Sequence, residues 1–387
     1  MMRTIVVRLA HSARLPSGAG AWGRGLLAGL AAALLAFGAG LPAVQAQPAP
    51  ERIRVVATFS ILADMVREVG GDHIALQTIV GPNGDAHAFE PAPRDARALG
   101  AARVLVRNGL GFEGWLPRLL EASGFHGLDV VASEGVRPRI LSEEEAAREA
   151  HEHGADGHGA EGHGAGDQGG SGDGGDGHGS GDLGSSGHDG SGHDDHDHED
   201  GGHGGDGHGH AGGVDPHAWQ DLSNGVIYVR NIARGLAAAD PAHAEEYHQR
   251  AEAYAARLMD EDRAWRASLA AIPQARRVMM TSHDAFGYLG RAYGIELISV
   301  LGLSSEAEPA ARTIAGLIDR IRARGIHAIF LERAVNPTLM RRITQETGVR
   351  IGGTLYSDTL DEPGTPAGSY LGMFRWNAQQ ILAAFQE

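Results

Sequence analysis

The sequence predicts an α/β protein of two β/α lobes, each with a four-stranded and mainly parallel sheet, linked by one long rigid α-helix across an inter-lobe cleft. Three observations carry this. Strand-like and helical runs alternate on both sides of a low-complexity segment, as parallel sheets covered by helices require. One helical pattern continues without a break for about 30 residues, far past an ordinary helix. The chain, at 387 residues, has room for two or three domains.

Residues 1–46 read as a cleavable export signal. Arg3, Arg8, Arg14 and Arg24 precede the apolar run 26–41, and Val44 and Ala46 flank a cleavage point before Gln47. That run is shorter than the roughly 20 residues of a spanning helix. No second long apolar run follows, so the mature chain is expected to be soluble and periplasmic, with no stable membrane insertion. The first lobe is expected over 47–240. Its strands are placed at 53–59, 74–80, 104–107 and 128–131, with helices at 60–69 and 93–101.

Within this lobe lies an insert, 143–213, of Gly, His and Asp. It holds 18 Asp and Glu against the single basic residue Arg148, and 12 of the 21 His. With almost nothing apolar to bury, it is expected to be disordered. A linking helix follows over 241–272. Asp240 suits its N-cap and Pro241 its first turn, while Tyr247, Ala251, Tyr254, Leu258 and Trp265 keep helical spacing. The second lobe, 273–387, resumes the alternation with runs at 278–281, 295–301, 328–331 and 351–355. A helix at 310–324 carries Ile314, Leu317, Ile318 and Ile321 on one face.

Composition excludes several chemistries. Without Cys there are no disulfides, thiolate metal sites, Cys nucleophiles or lipidated Cys. The net charge of −16 opposes nucleic acid as a partner, although nearly all of it sits in the insert. All 33 basic residues are Arg. The G-L-G-F-E-G run at 109–114 matches a dinucleotide fingerprint. Phe112 fills that loop, however, and Glu113 would oppose a pyrophosphate, so it reads as a strand-to-helix turn.

Eight His lie outside the signal and the insert, and three stand in unusual company: His87 in G-D-A-H-A-F-E-P (84–91), His217 in V-D-P-H-A-W-Q-D (214–221), and His283 in T-S-H-D-A-F-G (281–287). Asp358, in Y-S-D-T (356–359), follows the last strand of the second lobe. Ligands of open parallel sheets bind at the carboxyl ends of strands, where three of these four fall. Any one His alone would read as a surface or hydrogen-bonded residue; as a set they read as a metal site. Glu332, also at a strand end, is a reserve ligand or an orienting group, and Glu90, Asp221 and Asp284 are candidates to orient the imidazoles. In the insert, His151, His153, His196, His198, His208 and His210 suit weak capture of Zn²⁺, Cu²⁺ or Ni²⁺.

These motifs, in this order, resemble the metal-specific solute-binding proteins of bacterial ABC importers, the ZnuA-like family of cluster A-I. Further runs carry the resemblance across about 51–387: V-V-A-T-F-S-I-L (55–62), S-S-E-A-E-P (304–309) and Y-L-G-M-F-R-W-N (370–377). It implies one metal held by His87 and His217 from the first lobe and by His283 and Asp358 from the second. The fourth position is Asp358 or, as in some members, water or another carboxylate. Manganese-selective members look to have a carboxylate in the third position, whereas three neutral imidazoles and one carboxylate suit tetrahedral Zn²⁺. The resemblance implies a monomeric, non-enzymatic protein that captures Zn²⁺ and hands it to a membrane permease driven by a cytoplasmic ATPase. The alternatives are a manganese or other divalent-metal binder of the same type, a zinc-dependent hydrolase, and a periplasmic metal buffer or chaperone.

Overall fold

The computed structural model describes residues 52–143, 145–146, 213–303, 311–324, 326 and 328–386. The expected signal, the body of the insert with His151, His153, His196, His198, His208 and His210, the 304–309 motif and His327 lie outside the described residues.

Strand β1 (Ile53–Phe59) is rich in β-branched residues and buried from Val55 onward, as a strand covered on both faces must be. It pairs in parallel with β2 (Ile74–Val80) on one side and β3 (Val104–Arg107) on the other, and β3 pairs in parallel with β4 (Leu128–Val131), giving the order β2-β1-β3-β4. Helices α1 (Ser60–Gly70), α2 (Pro93–Gly100) and α3 (Leu116–Ser123) connect these strands. A short antiparallel ladder follows: in β5 (Arg139–Ile140) and β6 (Val214–Asp215), Arg139 lies opposite Asp215 and Ile140 opposite Val214. The Leu141 amide donates to the Gly213 carbonyl at 2.7 Å, closing the stem of the insert.

Beyond the stem, α4 (Leu222–Ala239) packs against α5 (Ala244–Ala270). Only one helix is expected here from sequence spacing. The chain instead reverses between two, through a 3₁₀ turn at Pro241–His243, so α5 begins three residues later than Pro241. At ~1.5 Å per residue α5 is about 40 Å long, and it touches both α1 of the first lobe and, in the second, α9 (Tyr370–Gln386).

The second lobe repeats the first. Strands β7 (Val278–Thr281), β8 (Glu296–Ser299), β9 (Ala328–Glu332) and β10 (Arg350–Leu355) lie in the order β10-β9-β7-β8, all parallel. Counted within each lobe, both sheets run second, first, third, fourth. Helices α6 (Gly287–Tyr293), α7 (Ala311–Arg324) and α8 (Thr338–Thr347) join the strands. The main apolar core is continuous from Val55 through Tyr254 and Phe286 to Phe385, crossing both lobes and α5; a smaller cluster around Met280, Leu317 and Ile329 serves the second lobe alone. Because the lobes share one core, separating them would expose apolar surface at about 25 cal/mol per Å², which limits how far they part.

Candidate metal centre

His87 lies in the turn after β2, where the Asp85 carboxylate accepts from the His87 amide at 2.9 Å and the Ala88 amide at 3.2 Å. His217 follows β6 in the same way. Asp215 Oδ1 accepts from the His217 amide at 2.9 Å and also meets its ring Nδ1 at 2.9 Å. An ionised carboxylate can only accept, so Nδ1 carries the proton and the Nε2 lone pair is left to face the cleft.

His283 follows β7 and is held from the end of β9. Glu332 Oε1 accepts from the Ser282 amide at 2.7 Å and the His283 amide at 3.0 Å, and Oε2 lies 2.7 Å from His283 Nδ1. In a sheet ordered second, first, third, fourth, the ends of the first and third strands flank the point where the chain's progression reverses. His283 and Glu332 occupy those two ends in the second lobe.

Asp358 follows β10. Its backbone is fixed from both sides: Trp219 Nε1 and Gln220 Nε2 donate to the Ser357 carbonyl at 2.9 and 2.7 Å. Asn377 receives the Tyr356 amide at 3.0 Å and donates to the Tyr356 carbonyl at 2.8 Å. The closing 370–377 motif therefore sets the approach to this loop.

The four side chains converge. His87 Nε2 and His217 Nε2 are 3.2 Å apart, and Asp358 Oδ1 is 3.5 Å from His217 Nε2. Asp358 Oδ2 is 3.7 Å from His87 Nε2 and 2.8 Å from His283 Nε2. One donor atom from each residue falls within 4.8 Å of every other. Zinc–nitrogen bonds of about 2.0–2.1 Å imply tetrahedral edges near 3.3–3.4 Å, and the spacings straddle that length. Both ring nitrogens of His283 and Asp358 Oδ1 are buried without a hydrogen-bond partner. The carboxylate oxygens of Glu332 and Asp358 lie 2.7 and 2.8 Å from His283 Nδ1 and Nε2, so the ring sits between two carboxylates. Unshared buried donor atoms on converging side chains fit a cation.

The site is nearly sealed. The His217 and His283 side chains have no exposure, while His87 and Asp358 retain 7% and 10%. Phe112, Phe59 and Trp219 pack with ring centroids 4.8–5.0 Å apart, and Phe112 meets His87 edge-on at 4.8 Å. This wall accounts for the bulky residue inside G-L-G-F-E-G. Gly109 and Gly111 take φ of +83° and +82°, a region that favours glycine. Glu113 accepts from the Asn108 and Gly109 amides at 2.6 and 3.2 Å and from the Thr58 hydroxyl at 2.8 Å. The amides that would cradle a phosphate are already held by a carboxylate of the chain itself.

Burial opposes charge on His283, yet Glu332 and then Asp358 outweigh it and hold the imidazole well above its ordinary pKa. Burial likewise opposes charge on Asp358, but His283 and then His217 keep its carboxyl well below the usual range. Without a cation, a proton on His283 offsets the surrounding carboxylates.

The other candidate residues fall elsewhere, apart from Glu332. Glu90 is exposed and lines a surface cleft between α2 and α3 with Arg97 and Arg118. Asp221 caps α4, accepting from the Ser223 amide at 2.9 Å. Asp284 is buried with its amide on the Gly302 carbonyl at 2.8 Å, and its charge faces Arg139. The orienting carboxylate that sequence reasoning missed is Asp215. Its signal is an Asp two residues before a His, present twice outside the insert, at 85/87 and 215/217, because an Asp side chain readily accepts from the amide two residues on.

Three imidazoles and a carboxylate, buried between two parallel-sheet lobes that share a long helix, define a metal-binding protein of the two-lobed binding class. Residues 55–384 match the family described as ZnuA, zinc-uptake complex component A, periplasmic, and the chain belongs to that family: it is the metal-binding component of an ABC-type metal importer and not an enzyme. The iron ABC transporter substrate-binding lipoprotein MtsA of Streptococcus pyogenes serotype M1 is 27% identical over 86% of this chain and 88% of its own. The manganese-binding lipoprotein MntA of Halalkalibacterium halodurans is 26% identical over 92% and 96%. Among solved structures, the periplasmic zinc binding protein TroA of Treponema pallidum is similar with a TM-score of 0.66 and 26% identity, covering 87% of this chain and 99% of that one. Among the described residues no helix is long and apolar enough to cross a membrane.

Proposed function

We propose that this protein captures Zn²⁺ in the periplasm and delivers it to the membrane permease of an ABC importer, with His87, His217, His283 and Asp358 as the ligands. The observation that carries the reading is the donor set: three imidazole nitrogens and one carboxylate converge at spacings near the edges of a zinc tetrahedron. Manganese favours more oxygen donors and binds a nitrogen-rich set more weakly. The relatives named for iron and manganese make those ions the competitors to test. Asp215 and Glu332 orient the imidazoles of His217 and His283, as carboxylates behind metal-bound histidines do.

The reading of residues 1–46 as a cleavable export signal supports a periplasmic location. The insert adds capture: clustered imidazoles and carboxylates hold zinc weakly and raise its local concentration beside the cleft. A monomer serves this role, since all four ligands come from one chain.

A zinc titration of the full mature chain and of a variant lacking 151–210 tests the reading, with metal analysis of the purified protein and competition by Mn²⁺ and Fe²⁺. One tight zinc site is expected in both proteins and lost in His87→Ala and His283→Ala. Loss of all tight binding on deleting the insert, or tighter binding of manganese than zinc, would overturn it.

A further inference from the structure

We infer that Arg139 is a positioning residue of the metal site, acting on His217 through Asp215 from the junction of the two lobes; this rests on the metal-site reading above. Asp215 is fully buried and divides its oxygens: Oδ1 takes the amide and ring Nδ1 of His217, while Oδ2 receives Arg139 Nη1 at 3.0 Å. Arg139 Nη2 pairs with Glu145, on the near side of the insert stem. A planar guanidinium is the cation that can serve both carboxylates with fixed geometry.

The same residue is anchored to the other lobe. The Arg139 amide donates to the Tyr288 hydroxyl at 2.9 Å, and that hydroxyl donates to the Asp215 carbonyl at 3.1 Å. The guanidinium lies against Gly287, where an added Cβ would sit 2.4 Å from Arg139 Cζ. Gly287 and Tyr288 open α6, four and five residues beyond His283. The position of a first-lobe imidazole is thereby referenced to the helix that follows a second-lobe imidazole.

Without Arg139, Asp215 keeps a buried charge with no counter-ion. Its Oδ2 then has no donor, the carboxylate is free to turn, and His217 loses the partner that fixes its ring. Removing such an outer partner typically costs about 10–100-fold in metal affinity.

The test uses the full mature protein with Zn²⁺ for affinity and Co²⁺ as a spectroscopic probe. Arg139→Gln is expected to weaken zinc binding about 10–100-fold and to alter the visible absorption of the cobalt form, with partial recovery in Arg139→Lys. Gly287→Ala supplies a variant that removes no charge. The atom it meets is the far end of a flexible side chain, so the fold is retained while the guanidinium is displaced, and affinity is expected to fall in the same direction. If Arg139→Gln does not fold, Gly287→Ala decides. Wild-type affinity and an unchanged cobalt spectrum in these variants would overturn the inference while leaving the site intact. Absence of tight binding in the wild type would instead remove the metal-site reading itself.

Discussion

The indole of Trp219 donates to the carbonyl of Ser357 at 2.9 Å across 138 positions of sequence. A first-lobe motif thereby holds the backbone of the residue that precedes Asp358. Gln220 supplies a second donor to the same oxygen, so a ligand carboxylate from one lobe is aimed by the loop that carries a ligand imidazole in the other.

Trp219→Phe keeps an aromatic ring but removes the donor and leaves a small void in the wall against Phe59 and Phe112. A lost buried hydrogen bond costs about 1–3 kcal/mol, and a lower thermal midpoint by calorimetry is the expected result, together with weaker zinc binding. An unchanged midpoint and affinity would show that Gln220 alone positions Ser357.

Zinc capture at neutral pH is expected to expel about one proton per ion. The imidazole of His283 is raised well above its ordinary 6.5 by Glu332 and Asp358, against the opposing effect of burial. Its pairing stabilises the metal-free fold at low and neutral pH and is lost as pH rises through that raised pKa. The Asp358 carboxyl is lowered from 3.8 by its histidines, again against burial, so its share is present above that value and fades only in strong acid. A ligating imidazole must be neutral, and zinc therefore competes with the His283 proton. Titration calorimetry in two buffers of different ionisation enthalpy reads the released proton; equal heats in both would contradict it.

His283→Asp replaces the third imidazole with a carboxylate. Oxygen donors favour harder ions, so the zinc dissociation constant should rise by more than the manganese one, and the zinc loss should exceed the ~10–100-fold of an outer-partner change. Competition titrations with both ions check the ranking. Equal losses for the two metals would show that donor type at this position does not set selectivity.

Asn83 lies in the turn after β2 with φ of +58°. Its amide donates to the Leu360 carbonyl at 2.9 Å, and Arg333 Nε donates to its side-chain oxygen at 2.7 Å. These partners lie two residues past Asp358 and one past Glu332, so the loop leading to His87 is clasped to both second-lobe segments of the site. Asn83→Gly keeps the backbone conformation and removes the side-chain clasp. Chelator-driven metal release, followed by stopped flow, should speed up several-fold while thermal stability shifts by less than about 1 kcal/mol. An unaltered release rate would place the barrier elsewhere.

The sheet strands were legible because their runs are short, apolar and β-branched; β1, β2, β3, β4 and β7 begin and end where the composition changes. Helices α3 and α6, with 8 and 7 residues, give periodicity little length in which to show, whereas the equally short α2 opens on a proline that marks its first turn. The convergence of His87, His217, His283 and Asp358 follows from strand ends in both lobes, which one sequence can suggest. Their orienting groups were harder to see. Asp215 precedes its His, whereas Glu90 and Asp221, which follow theirs, are turned to a surface cleft and a helix cap. Contacts such as Trp219 to Ser357 depend on how the lobes meet, which no local pattern encodes.

The ladder in which Arg139 faces Asp215 and Ile140 faces Val214 brings the two ends of the insert to adjacent points on the lobe. Loop-closure entropy grows only with the logarithm of length, about 0.6 kcal/mol for each doubling. The stem therefore acts as a socket: a cassette of half or twice the length could be grafted there at little cost to folding, leaving its content free to be set by the metal supply rather than by the architecture beneath it.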